Sequence, residues 1–191
     1  ARMNEYGYSF EKALAHGGFH AISAFNQAGF SLYTHSLMGF ANDGWIIAPV
    51  FLISTLAGFG FPVMAEIRDR LKLKIYKLLR RSVDYSMPAQ WSLNSRIILW
   101  ASLFLLIIGA VGIAVSEWNN PGTLGVLDPV QKIAASLFTS SMPRSTGLNV
   151  IETGAMYAST WFGIDILMFI GGASASTAGG IKIGTAVVLL Y

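Results

Sequence analysis

Cysteine is absent from these 191 residues. That excludes a disulfide framework, a thiolate nucleophile and a cysteine-bound metal. Charge is scarce, at 12% of residues, where soluble domains carry about 25%. Histidine occurs only at His16, His20 and His35, none at ligand spacing from an acidic partner, so all three read as structural. Residues 1–12 are polar and lack the apolar stretch of a secretory signal. What fills the chain is apolar: 53% of residues are hydrophobic and the mean hydropathy is +0.54. An apolar run also occupies residues 186–191, and the sequence reads as an internal piece of a longer membrane protein.

Three apolar regions are long enough to matter. Residues 45–65 carry no charge between Asp43 and Glu66. A helix of that length would be roughly 31 Å long, enough for a bilayer core of about 30 Å. Residues 97–116 are uncharged between Arg96 and Glu117, with Trp100 and Trp118 as interfacial anchors. Residues 153–191 are nearly twice what one span needs. They are interrupted by Asp165, by a run of small residues and by Lys182, the pattern of a broken helix or of two helices joined by a loop. The formal net charge is +3, and seven of the thirteen basic residues fall between Arg68 and Arg81. Lying between two membrane-length runs, this cluster predicts a cytoplasmic connector and not a nucleic-acid surface. A docking surface for a cytoplasmic partner is compatible with it.

The charge bias places two similar segments on the outer side, each before an inward-going helix. The first, residues 19–31, carries the turn Asn26, Gln27, Ala28, Gly29, Phe30. The second, residues 137–149, carries Ser145, Thr146, Gly147, Leu148, Asn149. From Gly29 to Gly60 is 31 residues, and from Gly147 to Gly179 is 32. Each segment is too short and polar to cross, yet apolar enough to be buried. A helix that dips in and returns as an extended strand fits both. Freed carbonyls at such depth must face water, protein or an ion. Glycine lets successive carbonyls point one way without a side chain in the lumen. One such turn would be an ordinary connection between helices; two at matching spacing on one side favour a pore.

These residues resemble the Trk/Ktr/HKT superfamily of potassium and sodium transporters. Residues 23–31 resemble the pore loop of its second repeat and residues 142–149 that of its third. Residues 168–182 are close to its most distinctive string. The resemblance implies an all-α membrane protein, with repeated helix–pore loop–helix units of a potassium-channel-like pore and a broken third helix. Residues 1–66 would be the pore loop and inner helix of repeat two, 67–96 the cytoplasmic connector, and 97–191 repeat three. It also implies potassium as the transported ion, no organic cofactor and no covalent chemistry. The expected setting is multi-pass in the plasma membrane (the cell inner membrane), in contact with lipid. Family members form homodimers and often bind a cytoplasmic nucleotide-binding regulatory subunit. Here Ser145, Thr146, Gly147 and Leu148 stand where Thr-Ala-Gly-Phe is more usual, and Gln27 where asparagine is common. Glycine in both filters favours potassium, because serine at such a position goes with sodium in this family. Sodium or mixed transport, and a non-transporting membrane subunit, are the alternatives.

The same resemblance assigns Gly171, Gly172, Ala173, Ser174, Ala175, Ser176, Thr177, Ala178, Gly179 and Gly180 to an intramembrane loop under the filter. With Lys182 it would form the gate. Four glycines in ten residues disfavour a helix there, at about 1 kcal/mol each relative to alanine. Close helix packing is the competing use of such a run. Ser174 in a small-residue turn could suggest an intramembrane serine protease, but every histidine precedes residue 36 on the predicted outer half. Gly179-Gly180-Ile181-Lys182 lacks the ending of a phosphate-binding loop. Asp165 is a candidate for the ion path, or for pairing with Lys182 or Arg144. Arg144 is expected to brace the second turn through carbonyls, and Asn26 and Asn149 to stabilise loop backbones.

Overall fold

The computed structural model describes residues 2–79, 90–144 and 146–190. Arg80 and Arg81 of the basic connector, and Ser145 of the second turn, lie outside the described residues. Among the described residues the regular structure is helical, apart from one isolated bridge between Ile170 and Ile181.

Helix α1 (Phe10–Phe25) is capped by Ser9, whose hydroxyl accepts from the Lys12 amide at 3.4 Å. It begins well before residue 20, where the short helix was expected. It packs against α2 (Gly44–Gly58), which starts on the carboxylate of Asp43. Asp43 is buried and also takes hydrogen bonds from Arg2 at 2.7 Å and Tyr6 at 3.2 Å, tying the N-terminal turn to the start of α2.

The single helix expected over residues 45–65 is not what forms. Helix α2 stops at Gly58, and α3 (Gly60–Leu78) leaves at 110° to it. The corner lies at Gly60, which takes φ +76°, a left-handed angle that interrupts a helix and that a side chain resists. At 15 residues, α2 is roughly 22 Å long. Helix α3 carries the described part of the basic cluster, and Arg70 stacks over Trp91 at 4.2 Å.

Helix α4 (Leu93–Glu117) starts on Ser92 and has 25 residues, roughly 37 Å. Among the described residues it alone is long and apolar enough to cross a membrane by itself. It packs along α5 (Pro129–Ser141), α6 (Ala158–Phe169) and α7 (Ile183–Leu190) through one side. Its other side exposes Leu103, Phe104, Ile107, Ile108, Val111 and Val115. An apolar face of that extent needs lipid or further protein against it. Pro129 opens α5, where its missing amide costs nothing, and Gln131 accepts from the Asp128 amide at 3.2 Å. The largest core cluster joins Ala24, Leu37, Val50, Phe138, Leu148 and Ile164, so it holds both glycine-bearing segments together.

At the end of α4, Glu117 is fully buried and has no cationic partner among the described residues. Its Oε2 accepts from Asn120 Nδ2 at 2.6 Å and the Thr123 hydroxyl at 2.7 Å. Its Oε1 accepts from the Tyr157 amide at 2.9 Å and the Thr160 hydroxyl. The Tyr157 amide can only donate, and Asn120 could turn its side-chain amide only by giving up its bonds to the Ala155 carbonyl at 2.8 Å and the Gly122 amide at 3.0 Å. Glu117→Gln must set its own NH₂ against one of those donors in either orientation. The expected cost is about 1–3 kcal/mol, read as a lower melting temperature of the detergent-solubilised protein. An unchanged melt would show that this junction does not hold the fold.

Candidate ion pathway

The two glycine turns come together. Helix α1 ends at Phe25, and the Asn26 side chain donates to the Ile22 carbonyl at 3.0 Å, closing the last turn. The chain then reverses through Gln27 at φ +53° and Gly29 at φ +74°. Helix α5 ends in a tight turn at Met142–Arg144, and Gly147 follows at φ +72° with its amide on the Met142 carbonyl at 3.0 Å. A Cβ built on Gly29 would lie 2.6 Å from the Thr146 carbonyl oxygen, and one on Gly147 would lie 3.8 Å from the Gly29 Cα. The turns thus meet backbone to backbone across 118 residues of sequence. Both follow the C-terminal end of a short helix, the end whose dipole is negative.

The irregular segments that leave the turns are held at defined points. Ser23 donates to the Phe30 carbonyl at 2.8 Å. The Asn149 carbonyl accepts from the Leu37 amide at 2.9 Å, and the Asn149 amide donates to Ser36 Oγ at 2.9 Å. Asn149 therefore joins the segment after the second turn to the Ser36–Leu37 turn through its backbone. Leu148 and Thr146 are buried, whereas Ala28, Phe30 and Gly147 are exposed.

Behind the turns, Gln27 Nε2 donates to the Ser54 carbonyl of α2 at 3.0 Å. Arg144 Nη1 donates to the Ser102 carbonyl of α4 at 3.2 Å, so it braces the turn against a neighbouring helix. A cavity of about 20 Å³ lies here, lined by Gln27, Ser54, Thr55, Ser141, Arg144 and Thr146. Gln27 Oε1 and Arg144 Nε are buried without a partner among the described residues. The volume suffices for about one water molecule to serve them.

The run of small residues is a closed loop beneath the turns. Its neck is drawn shut by Gly171 N to Ile181 O at 3.1 Å, Ile181 N to Phe169 O at 2.9 Å and Ile183 N to Gly172 O at 3.0 Å. A Cβ on Gly171 would fall 1.7 Å from the Gly179 carbonyl oxygen, so the neck closes only on glycine. The loop body docks into the break between α2 and α3. Ala173 N donates to the Gly58 carbonyl at 2.9 Å, and Phe61 N donates to the Ala175 carbonyl at 3.1 Å. A Cβ on Gly60 would strike the Ser174 carbonyl oxygen at 2.6 Å. Thr177 Oγ1 donates to the Phe25 carbonyl at 3.2 Å, at the end of α1. Ser176 Oγ and Lys182 Nζ bond the loop's own carbonyls, of Ala173 and Ala178. Ser174, Thr177, Gly179 and Gly180 are exposed.

Asp165 is exposed and pairs with neither Lys182 nor Arg144. The Gly58-Phe59-Gly60 break was missed at the sequence level, although two glycines shortly before Pro62 are a legible stop signal. Ser54 and Ser102, which offer carbonyls to the turns, carry no such signal. Only the packing shows which helical carbonyls the turns reach.

A family model described as TrkH, cation transport protein, matches residues 5–190. The chain is 36% identical over 186 residues to the Ktr system potassium uptake protein B of Bacillus subtilis (strain 168), covering 97% of this chain and 38% of that protein. It is 31% identical over 167 residues to the protein of the same name from Vibrio alginolyticus, covering 87% of this chain and 34% of that one. It is 30% identical over 186 residues to the potassium/sodium uptake protein NtpJ of Enterococcus hirae, covering 97% and 37%. The chain thus spans a little over a third of the length of these relatives, whose names are those of transporters and not of enzymes. With a family match over nearly its whole length, and more than 30% identity across 97% of it to a potassium uptake protein, this chain belongs to the TrkH cation transport protein family.

Proposed function

We propose that this chain supplies two quarters of a potassium-selective pore in the plasma membrane, within a longer multi-pass transporter. The observation that carries the proposal is the backbone-to-backbone meeting of Gly29 and Gly147, both in left-handed turns after short helices. In this reading Asn26, Gln27, Ala28, Gly29 and Phe30 form one part of the filter. Ser145, Thr146, Gly147, Leu148 and Asn149 form the second. Their carbonyls replace water around a dehydrated potassium ion, as the low-dielectric setting requires. The helix ends behind them favour a cation there. Residues 1–66 act as the pore loop and inner helix of one repeat, 67–96 as the cytoplasmic connector, and 97–191 as the next repeat.

The loop from Gly171 to Gly180, with Lys182, is the gate. Its hydrogen bonds to the α2–α3 break supply a mechanical link. The basic helix α3 faces the cytoplasm, and a regulatory nucleotide-binding subunit pulling on it would move Gly60 and so the loop. The transporter acts as a homodimer surrounded by lipid. A mixed sodium and potassium pore is the second reading, favoured by the 30% identical relative named as a potassium/sodium uptake protein.

Two measurements test this in the complete transporter, expressed in cells lacking their own potassium uptake. Gly147→Ser is expected to reduce the preference for rubidium over sodium by roughly tenfold, equivalent to about 1.4 kcal/mol. Rubidium uptake with sodium competition reads it, and an unaltered preference removes Gly147 from the filter. Gly60→Ala places a methyl group against the Ser174 carbonyl and is expected to undock the loop, raising resting uptake in the absence of the regulatory stimulus. Deleting residues 173–178 should raise it further. Resting flux that matches wild type in both variants would show that this loop is no gate.

A further inference from the structure

His20 sits on the face of α1 that also carries Ser23, one turn apart, and is buried. Its ring stacks on Tyr33 with centroids 4.9 Å apart and planes 12° apart. Its Nδ1 lies 2.8 Å from the His16 carbonyl oxygen, which can only accept, so Nδ1 carries the hydrogen. That leaves a lone pair on Nε2. The Leu32 amide points at it from 3.4 Å and Ser31 Oγ lies 3.1 Å away. Ser31 Oγ in turn accepts from the Tyr33 amide at 3.1 Å. Together with Ser23 on the Phe30 carbonyl, α1 therefore grips three successive residues directly after the Gly29 turn.

We propose that neutral His20 is a positioning residue for the first filter turn, its Nε2 lone pair fixing Ser31 and Leu32 so that the Gly29 turn stays seated against Thr146. The proposal rests on the filter reading above. The Ser31 hydroxyl can rotate, but the Leu32 amide cannot cease to be a donor. An imidazolium would present a second N–H to it, and the grip at Leu32 would be lost. The ring is reachable by protons, because His20 borders a cavity of about 350 Å³.

The groups around the ring do not offset such a charge. His16 faces Tyr33 through Nδ1 at 3.1 Å from the hydroxyl, and Tyr8 stands behind, 6.3 Å from Tyr33. Burial pushes the Tyr33 hydroxyl up to about 12, so it stays neutral wherever histidine titrates. Arg2 borders the same cavity from the N-terminal turn, with its charge already paired with Asp43 at 2.7 Å and Glu5 at 2.6 Å. Helix α2 contributes Trp45, Ile46, Pro49, Val50 and Ile53, none of which titrates. No carboxylate lines this cavity among the described residues.

Burial lowers the His20 pKa below the ordinary histidine value, so the test measures rubidium uptake with sodium competition in the complete transporter at an outer pH of about 7.5 and about 4.5. Wild type is expected to lose preference for rubidium at the acid pH by about 2–10-fold, the scale of one hydrogen bond. His20→Gln keeps an acceptor but does not titrate, and is expected to lose the acid response. His20→Leu has no acceptor and is expected to show the weakened preference at both pH values. An acid response shared by wild type and His20→Gln, or absent from wild type, overturns the proposal, as does a His20→Leu protein with wild-type preference. Gly147→Ser run alongside separates the two claims. If it alters preference while the His20 variants do not, only the role of His20 fails; if it too is silent, the filter reading fails with it.

Discussion

A Cβ at position 29 would lie 2.6 Å from the Thr146 carbonyl oxygen, so the two turns can share this space only as bare backbone. Much of the remaining structure meets the requirements of that contact. Backbone that has left a helix at membrane depth exposes amides and carbonyls that nothing apolar can satisfy. Each turn accordingly follows a short helix whose last carbonyls are closed locally, by the Asn26 side chain on one side and by the Gly147 amide on the other. The segments that leave are then pinned, the first by Ser23 and His20 and the second to the Ser36–Leu37 turn through Asn149.

The same accounting explains the brace around the turns. Gln27 and Arg144 extend in different directions, to carbonyls of α2 and α4 respectively. Each spans a gap that an apolar side chain could fill but not satisfy. Their remaining polar atoms turn into one small cavity between the turns and the loop. A guanidinium held this way sets its charge behind the backbone and against the C-terminal end of α5, where the helix dipole is favourable.

The break after Gly58 solves a second satisfaction problem. Bending a helix by 110° frees donors and acceptors at the corner. The loop from Gly171 to Gly180 has the opposite need, being irregular backbone with no ladder of its own. The Gly58 carbonyl and the Phe61 amide pair with Ala173 and Ala175, so each element supplies what the other lacks. The proposed gate and the proposed lever are in this sense one object. A rotation of α3 cannot leave the loop's hydrogen bonds intact unless the loop follows.

The sequence by itself determined the composition class, the helical content and the two glycine turns. Uncharged runs, a charge bias and a glycine in a polar turn are local properties, legible without neighbours. The span now seen as α4 was legible for the same reason. The bend at Gly60 was legible only in part, because two glycines permit a break without requiring one. Tertiary structure decided that the break occurs, since the loop, 115 residues on from Gly58 at Ala173, supplies the partners that make it tolerable. It also decided the roles of His20, Ser36, Ser54 and Ser102. A histidine on an apolar face reads as structural until the amide it accepts from is known, and that amide, of Leu32, lies in a segment folded back by the turn. Hydrogen-bond partners across the chain depend on three-dimensional proximity, which no local pattern of residues encodes.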